Sequence, residues 1–368
     1  MTAPLQGLKV IELARVLAGP WIGQTLADLG AEVTKVESPS GDDTRGWGPP
    51  FVTHNGAETA AYFHSTNRGK SGLVCDFKNA EDISNLKELI SKADVLVENF
   101  KTGGLAKFGL DYASLSALNP RLVYCSVTGF GQTGPYANRA GYDYLIQGMS
   151  GIMDLTGEPD GPPQKIGVAF ADIFTGLYGT IAIQAALAER ARSGLGQHID
   201  MSLFDCMTAV LANQAMNQLA GSPPRRMGNA HPNIVPYQVF PCADGHLIIA
   251  CGNSGQFQRL CEVLNRPDLR DDPRFGENAD RLAHRDALVA ALSESLADWP
   301  RDRLLAALED ATVPAAPINT VAQALDDPQI KARGMVVSCE GVPGLRTPIT
   351  FSRSTLSIGK ASPTLGKA

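Results

Sequence analysis

A single acidic residue interrupts an apolar segment near the middle of the chain. Asp172 is the only Asp or Glu in KIGVAFADIFTGLYGTIAIQAAL, residues 165–187. A carboxylate that is buried without a partner loses several kcal/mol of hydration free energy. We therefore interpret Asp172 as a helix cap, a buried structural partner or a reacting group. A helix start favours the ionised carboxylate, and a poorly hydrated carboxylate at a pocket edge is a nucleophile, so capping and catalysis are compatible.

Three glycine-containing segments match known motifs only in part. GFGQTG at 129–134 has the spacing of a dinucleotide fingerprint, but Pro135 follows at once and no amphipathic helix begins there. GKS at 69–71 lacks the first glycine of a phosphate loop, since that position is His64. GMSGI at 148–152 lacks the second glycine of a nucleophile elbow. The sequence therefore predicts neither a nicotinamide enzyme, nor a phosphate-loop protein, nor a serine hydrolase.

Residue spacing, net charge and the absence of targeting patterns predict a cytoplasmic protein without a metal. The seven cysteines are scattered and never spaced as CxxC, and the six histidines are too dispersed for a metal-binding helix. The net charge of −6 argues against nucleic acid as a partner. The amino terminus has no signal-peptide pattern, and no segment is a convincing membrane span, so no membrane partner is expected.

The elements around the central carboxylate alternate between strands and helices. LKVIEL at 8–13 and AEVTKVE at 31–37 flank an amphipathic segment, which predicts a parallel βαβ unit. The pattern continues with a helix around Ile83–Ile90, strands at DVLVEN and at 121–128, and a helix over 172–191. This alternation predicts a doubly wound, Rossmann-like α/β domain.

The character of the sequence changes beyond Gly221. The next segment, SPPRRMGNAHPNIVPYQ, is rich in proline and is typical of an irregular linker. A hairpin pattern with its turn at Asp244-Gly245 follows, then a mostly helical segment, and the last part of the chain is again strand-rich. We predict a large domain over 1–221 that is completed by about 330–368, a linker over 222–236 and a small α+β domain over 237–329.

Several ordered motifs span the whole chain. They are VIELARVLAGPWIGQTLADLGAEVTKVE, DDTRGWGPPF, NRGKSGLVCDFK, DVLVENF, SVTGFGQTGP followed by GYDYLIQGMSG, and GVAFADIFTG. Their order and spacing resemble those of family III CoA-transferases, the CaiB/BaiF family. The resemblance implies a Rossmann-like large domain, a smaller α+β domain and two chains interlocked as a homodimer. It also implies that an acyl-CoA and a small carboxylic acid are the substrates, with no metal or redox cofactor.

The same resemblance implies roles for particular residues. Asp172, within GVAFADIFTG, would be the nucleophile that attacks the donor thioester and forms an aspartyl-acyl anhydride and then an aspartyl-CoA thioester. Tyr142 and Asp143 would complete the catalytic group. The residues implied to contact CoA are Val16, Ala18, Lys78, Asn99, Phe100, Gly104 and Lys107.

One dipeptide bears on the reaction type. The superfamily also contains α-methylacyl-CoA racemases, which act at the α-carbon with a His-Asp pair where this chain has Tyr142-Asp143. Tyrosine has a reference pKa near 10 and is a poor base at neutral pH, which favours transfer and leaves a racemase-like enzyme as the alternative. Tyr142 itself is either a core aromatic residue or a donor that lines the acyl pocket.

The acceptor acid is suggested by two further segments. GDDTRGWGPPF and GNAHPNIVPYQVF most resemble the branch of the family that uses succinyl-CoA with dicarboxylates such as glutarate. A dicarboxylate needs a partner for its distal carboxylate. Arg45, beside Trp47 and a proline turn, and His231 are the residues that we predict to bind the acceptor, although each is also interpretable as an ordinary surface or linker charge.

Overall fold

A computed structural model describes residues 2–366. The strands are, in chain order, β1 (Lys9–Glu12), β2 (Glu32–Glu37), β3 (Phe51–His54), β4 (Ala57–Ala60), β5 (Ser71–Val74), β6 (Val95–Glu98), β7 (Val123–Thr128), β8 (His198–Ser202), β9 (Tyr237–Cys242), β10 (Gly245–Ala250), β11 (Ala315–Pro317), β12 (Val336–Cys339) and β13 (Val342–Leu345).

The helices alternate with these strands in the first half of the chain and predominate after β10. They are, in chain order, α1 (Ala18–Asp28), α2 (Ala61–Asn67), α3 (Ala80–Ser91), α4 (Tyr112–Leu118), α5 (Asp143–Met149), α6 (Ile152–Leu155), α7 (Phe170–Ser193), α8 (Leu203–Ala209), α9 (Ala212–Leu219), α10 (Ser254–Val263), α11 (Pro267–Arg270), α12 (Asn278–Ala283), α13 (Arg285–Leu296), α14 (Arg301–Asp310), α15 (Val321–Asp326) and α16 (Pro328–Ala332).

The chain divides into two compact units. Unit 1 comprises Met1–Met153, Lys165–Ala212 and Pro328–Ala368, and unit 2 comprises Asp154–Gln164 and Asn213–Asp327. The sequence-based domain ranges differ from this division, since 154–164 and 213–221 group with unit 2. Backbone pairing inside unit 2 accounts for the first difference, because the Gly228 N–H donates to the Gly157 carbonyl at 3.0 Å.

Unit 1 contains a parallel sheet with the strand order β5-β2-β1-β6-β7-β8. All five neighbouring pairs in this sheet are parallel. The order is that of a Rossmann fold, and its direction reverses between β1 and β6, where such sheets form a crevice at the carboxyl ends of the strands. The predicted mixed α/β architecture with a parallel central sheet is therefore confirmed.

The central strands β1, β6 and β7 are largely buried on both faces, and their sequences are accordingly rich in apolar residues. Val10 packs with α1 and α7 in one cluster, whereas its neighbour Ile11 packs with α3 in another. Val95 and Leu96 of β6 separate in the same way. The alternation of side chains along each strand thus places a helical layer on both sides of the sheet.

Helix α7 is the long central helix that the sequence predicted over 172–191. By length and hydropathy alone it could cross a bilayer, a criterion that core helices of globular domains also meet. Ala171, Ile183 and Ala186 on this helix belong to the buried cluster beside the sheet. We therefore interpret α7 as a core helix of unit 1.

Unit 2 has its own core and a small antiparallel sheet in the order β11-β10-β9. Phe240, Leu247 and Phe257 are among the buried residues that join this sheet to its helices. The predicted hairpin is present, but the sequence prediction placed its turn one residue too far along the chain. Cys242 pairs with Gly245, so the loop consists of residues 243 and 244, and Gly245 already belongs to β10.

Candidate active site

A cleft of about 560 Å³ opens at the carboxyl ends of the parallel strands in unit 1. Its walls come from the segments that follow β1, β6 and β7 and from the first turn of α7, so it lies at the reversal point of the strand order. The lining residues that carry the chemistry are Arg15, Val16, Leu17, Ala18, Asn99, Phe100, Lys101, Gly104, Lys107, Arg139, Tyr142 and Asp172.

Asp172 lies in the first turn of α7 but does not cap the helix. The N-cap position is Ala169, and the Ala171 N–H is bound instead by the Asp143 carboxylate at 2.8 Å. Within residues 2–366 no hydrogen bond to the Asp172 carboxylate is present. The capping interpretation of Asp172 is therefore wrong, and what remains is an unpaired carboxylate at the wall of a cleft.

The electrostatic setting of Asp172 matches this isolation. Burial, reinforced by the negative charge of Asp143, raises the pKa of Asp172 from 3.8 to about 7. Near neutral pH a large fraction of Asp172 is ionised, yet the carboxylate has few partners that would lower its nucleophilicity. An ionised carboxylate without partners is a group that can act as a nucleophile.

Asp143 holds the start of α7 in place. One carboxylate oxygen accepts the Ala171 N–H, and the other accepts from the Gln147 side-chain amide at 2.8 Å. Gln147 in turn accepts the Ile166 N–H at 2.9 Å, so α5 and the segment before α7 are tied together. Asp143 therefore orients the peptide that precedes Asp172 and also contributes negative charge near it.

Tyr142 immediately precedes α5 and lines the cleft. The residue is 63% exposed, so the core-aromatic interpretation is wrong. Tyr62 is a neighbouring phenol that the sequence did not reveal. Burial, followed by the charges of Asp172 and Asp143, raises the pKa of Tyr62 to about 12, which keeps its hydroxyl protonated as a donor.

Close packing between α1 and α7 determines where Asp172 lies relative to the segment after β1. A Cβ on Gly176 would lie 3.0 Å from the Ala18 carbonyl oxygen and 2.9 Å from the Trp21 ring. A Cβ on Gly179 would lie 2.5 Å from Ile22. These glycines lie one and two turns after Asp172 and allow α7 to pack closely against α1. The close packing holds the first turn of α7 in place relative to the segment after β1, and both line the cleft.

The cleft carries more positive than negative charge. Arg15, Lys101, Lys107 and Arg139 line it, and Asp172 is the one acidic side chain among the lining residues that the structure describes. The Lys107 ammonium lies 4.8 Å from the centre of the Phe108 ring. Such a surface attracts a polyanion such as the phosphates of a nucleotide. The sequence interpretation identified Lys107 but missed Arg15, Lys101 and Arg139, whose basic character within the cleft-forming segments was the available signal.

The predicted CoA-contacting residues fall into two groups. Lys78 is not among the lining residues, and its N–H donates to Asp76. The structure brings the other members to the cleft wall, namely Val16, Ala18, Asn99, Phe100, Gly104 and Lys107. Asn99 also has a structural task, because its amide accepts the Arg15 N–H at 2.9 Å and donates to the Arg15 carbonyl at 2.7 Å.

The two predicted acceptor-binding residues lie outside the lining of this cleft. Arg45 in unit 1 makes a two-point ion pair with Glu37, at 2.8 and 2.7 Å, and donates to the Pro363 carbonyl. His231 belongs to unit 2, where its Nδ1 accepts the Asn233 N–H at 3.0 Å. Burial, followed by the charge of Arg285, lowers the pKa of His231. A neutral His231 therefore carries its proton on Nε2.

Fold and site together define a doubly wound α/β protein with a half-buried, unpaired carboxylate at the wall of a cation-lined cleft. The comparisons agree with this class. Residues 5–368 match the model of CoA-transferase family III. The crystal structure of a CaiB/BaiF family protein from Brucella suis has a TM-score of 0.90 and 63% sequence identity, over 99% of this chain and 97% of that chain.

Two relatives with named activities match nearly the full chain. The succinate–glutarate CoA-transferase of Agrobacterium fabrum is 57% identical, over 99% of this chain and 93% of its own length. The acetyl-CoA:oxalate CoA-transferase of Acetobacter aceti is 43% identical, over 95% of this chain and 89% of its own length. The chain belongs to CoA-transferase family III and is a CoA-transferase, as its sequence motifs indicated.

Proposed function

We propose that this protein transfers CoA from succinyl-CoA to glutarate, with Asp172 as the covalent nucleophile. The observation that carries the proposal is the unpaired Asp172 carboxylate, with its raised pKa, at the wall of the cation-lined cleft. The donor and acceptor are suggested by the Agrobacterium fabrum relative, which is named for succinate and glutarate.

The first half of the reaction cleaves the donor thioester. A carboxylate oxygen of Asp172 attacks the thioester carbonyl, the C–S bond breaks, and CoA leaves as a thiolate beside an aspartyl-succinyl anhydride. The thiolate then attacks the aspartyl carbonyl of this anhydride. Succinate leaves with the electron pair of the C–O bond, and Asp172 is left as a CoA thioester.

The second half repeats these steps with the acceptor. A glutarate carboxylate attacks the aspartyl thioester, which releases the thiolate and forms an aspartyl-glutaryl anhydride. The thiolate attacks the glutaryl carbonyl, so glutaryl-CoA forms and the Asp172 carboxylate is regenerated. Every step is an acyl transfer without a change in oxidation state, so no redox cofactor is needed, and we propose that no metal takes part either.

CoA is held in this proposal by the cleft wall and its cations. The six predicted contact residues at the wall are supported by Arg15, Lys101 and Arg139, which provide charges for the phosphates. Lys78 stays a predicted contact. Tyr142 is exposed at the cleft and is proposed to donate a hydrogen bond to the acyl group.

We propose Arg45 and His231, each by itself, as candidates for the residue that binds the distal carboxylate of the acceptor. Because both donors of Arg45 that face Glu37 are occupied, Arg45 would bind glutarate only through its remaining amino group or after losing Glu37. His231 would bind as a neutral Nε2–H donor. An unchanged glutarate KM in both Arg45→Ala and His231→Ala would reject these assignments.

We also propose that the enzyme is a cytoplasmic homodimer. On α7, Leu177, Tyr178 and Ile181 remain exposed although the helix packs into the core on its other side. An exposed apolar strip of this kind is suited to burial against a second copy. Light scattering coupled to size exclusion tests the dimer, and a monomer at micromolar concentration would argue against it.

The covalent intermediate is the decisive experiment. The protein is mixed with succinyl-CoA, quenched with hydroxylamine, and mapped by peptide mass spectrometry with Asp172→Asn as the control. We expect a hydroxamate on Asp172 alone, and glutaryl-CoA to form when glutarate is added. No modified carboxylate under turnover would refute the nucleophile. Uptake of deuterium at the α-carbon of a branched acyl-CoA without transfer would support the racemase-like alternative instead.

A further inference from the structure

The segment between β1 and α1 forms one wall of the cleft in an unfavourable backbone conformation. Val16 has a φ of +71°, in the left-handed region that β-branched residues avoid. Such a conformation is unfavourable and persists only where the surroundings enforce it. Contacts with other residues must therefore hold Val16 in this conformation. Because Val16 lines the cleft, its conformation affects the shape of the cleft wall.

Side chains from elsewhere bind the backbone of this segment. Asn99 binds both the N–H and the carbonyl of Arg15. The Val16 N–H donates to the Asp42 carboxylate, at 3.2 and 3.4 Å from its two oxygens. The strained residue is thus held directly by a carboxylate that the sequence interpretation did not single out.

Asp42 is itself anchored by a buried charge network. We call Glu12, Lys35, Asp42 and Lys70 the buried quartet, because none of their side chains is exposed to solvent. Lys35 lies 3.0 Å from Asp42 and 3.3 Å from Glu12. Lys70 lies 2.8 Å from Glu12. Two cations and two carboxylates balance in charge, as burial requires.

The quartet also binds the backbone at the start of this segment and in the first turn of α1. The Lys35 ammonium donates to the Ala14 carbonyl at 3.0 Å, and the Lys70 ammonium donates to the Pro20 carbonyl at 2.9 Å. With the bond from Val16 to Asp42, the network holds two backbone groups of the segment and one in the first turn of α1. A Cβ on Gly23 would lie 1.7 Å from a Glu12 carboxylate oxygen, so α1 is shaped to admit the quartet.

Stability alone does not explain this arrangement. Buried ion networks are often no more stabilising than apolar residues of the same volume, because the charges lose their hydration. Apolar residues could not bind the backbone groups of Ala14, Val16 and Pro20, as the quartet does. The geometry therefore favours a positioning role.

We propose that Asp42, anchored by the buried quartet, is a positioning residue that keeps Val16 in the left-handed conformation required for binding the CoA thioester. The inference rests on the proposed function, because it assumes that the segment over residues 15–18 contacts CoA. Asp42 does not touch the reacting atoms and acts through the backbone of Val16.

The first test compares Asp42→Asn with a matched control. Asn keeps the shape of the side chain but removes the charge that binds Lys35 and Val16. The control is Asp28→Asn, which removes another buried carboxylate, one that is paired with Arg68 at 2.6 Å. We expect Asp42→Asn to weaken binding of CoA by about tenfold, ~1.4 kcal/mol by calorimetry. The control should lower the melting temperature and leave CoA affinity unchanged.

A rescue experiment separates positioning from general destabilisation. Glycine adopts positive φ without steric cost. In the Asp42→Asn background, Val16→Gly should therefore recover part of the lost CoA affinity, although it restores no contact. Equal affinities of the single and double variants would count against the proposal.

Val16→Pro covers the case in which Asp42→Asn fails to fold. Proline removes the N–H and forces φ near −65°, while the buried quartet stays intact. We expect this variant to fold and to lose CoA binding, with a raised KM for succinyl-CoA and a smaller change in kcat. Normal CoA affinity in a folded Val16→Pro would overturn the inference. A wild-type protein that binds no CoA would refute both this inference and the proposed function, whereas unaltered binding in the variants would refute the inference alone.

Discussion

Asp172→Asn is expected to stabilise the protein at neutral and alkaline pH. Burial and the charge of Asp143 raise the pKa of Asp172 from 3.8 to about 7 in the folded chain. The folded state therefore binds the proton more tightly than the unfolded state, in which the ordinary pKa applies. Below about pH 4 Asp172 is protonated in both the folded and the unfolded state, so its burial carries no ionisation penalty. As the pH rises from there towards 7, the free energy of unfolding falls.

The size of the effect follows from the shift. A difference of about three pKa units corresponds to about 4 kcal/mol at pH 8, at about 1.4 kcal/mol per unit. Because the side chain borders an open cleft and keeps part of its exposure, solvent screening reduces this value, and we expect about 2 kcal/mol. At pH 5 the stabilisation by Asp172→Asn should be less than half of this value, because most of the ionisation penalty develops above this pH.

Urea unfolding of wild type and Asp172→Asn between pH 5 and 8.5 measures this difference. Asp302→Asn provides the control, because its side chain in unit 2 is 84% exposed and should show no such trend. A variant that is no more stable than wild type at pH 8, or whose gain is the same at every pH, would refute the description of Asp172 as a desolvated carboxylate without a partner.

Three further predictions follow from the site and the two cores. Asp143→Asn removes the second cause of the raised Asp172 pKa while keeping an acceptor for the Ala171 N–H, so the midpoint of the pH-rate profile should move to lower pH; an unmoved midpoint would contradict this. Gly176→Val should lower both kcat and the melting temperature, since its side chain would meet the Ala18 carbonyl; normal kinetics would show that the helices adjust freely. Leu292→Ala in the unit 2 core should lower the free energy of unfolding by about 2–5 kcal/mol in denaturant titration, and a loss below 1 kcal/mol would argue against tight packing there.

Local signals in the sequence were sufficient for the fold class. The central parallel strands β1, β6 and β7 are largely buried and rich in apolar residues, and α7 is long and apolar, so these elements could be recognised from their own residues. Asp172 was conspicuous for the same reason, as one acid among apolar neighbours. The hairpin turn was misplaced by one residue because turn chemistry does not determine register by itself.

Residues that resemble ordinary surface charges required the tertiary structure. Lys70 lies in the GKS tripeptide and Lys35 in TKVE, and neither segment indicates burial, yet both ammonium groups lie in the buried quartet. Arg45 appeared free to bind an acceptor, whereas the fold pairs it with Glu37. Whether a charge is solvated or paired depends on which other strands approach it.

The sequence and the tertiary structure determined different features of the protein, and the reason is physical. The sequence by itself determined the fold class and the unusual carboxylate, because hydrophobic periodicity and residue type act over a few neighbouring positions, and its ordered motifs indicated the family. Only the tertiary structure decided that Asp143 binds the Ala171 N–H, that Asp42 binds the Val16 N–H, and that glycines bring α7 against α1. These contacts join residues far apart in the chain, and their partners become neighbours only when the sheet has assembled.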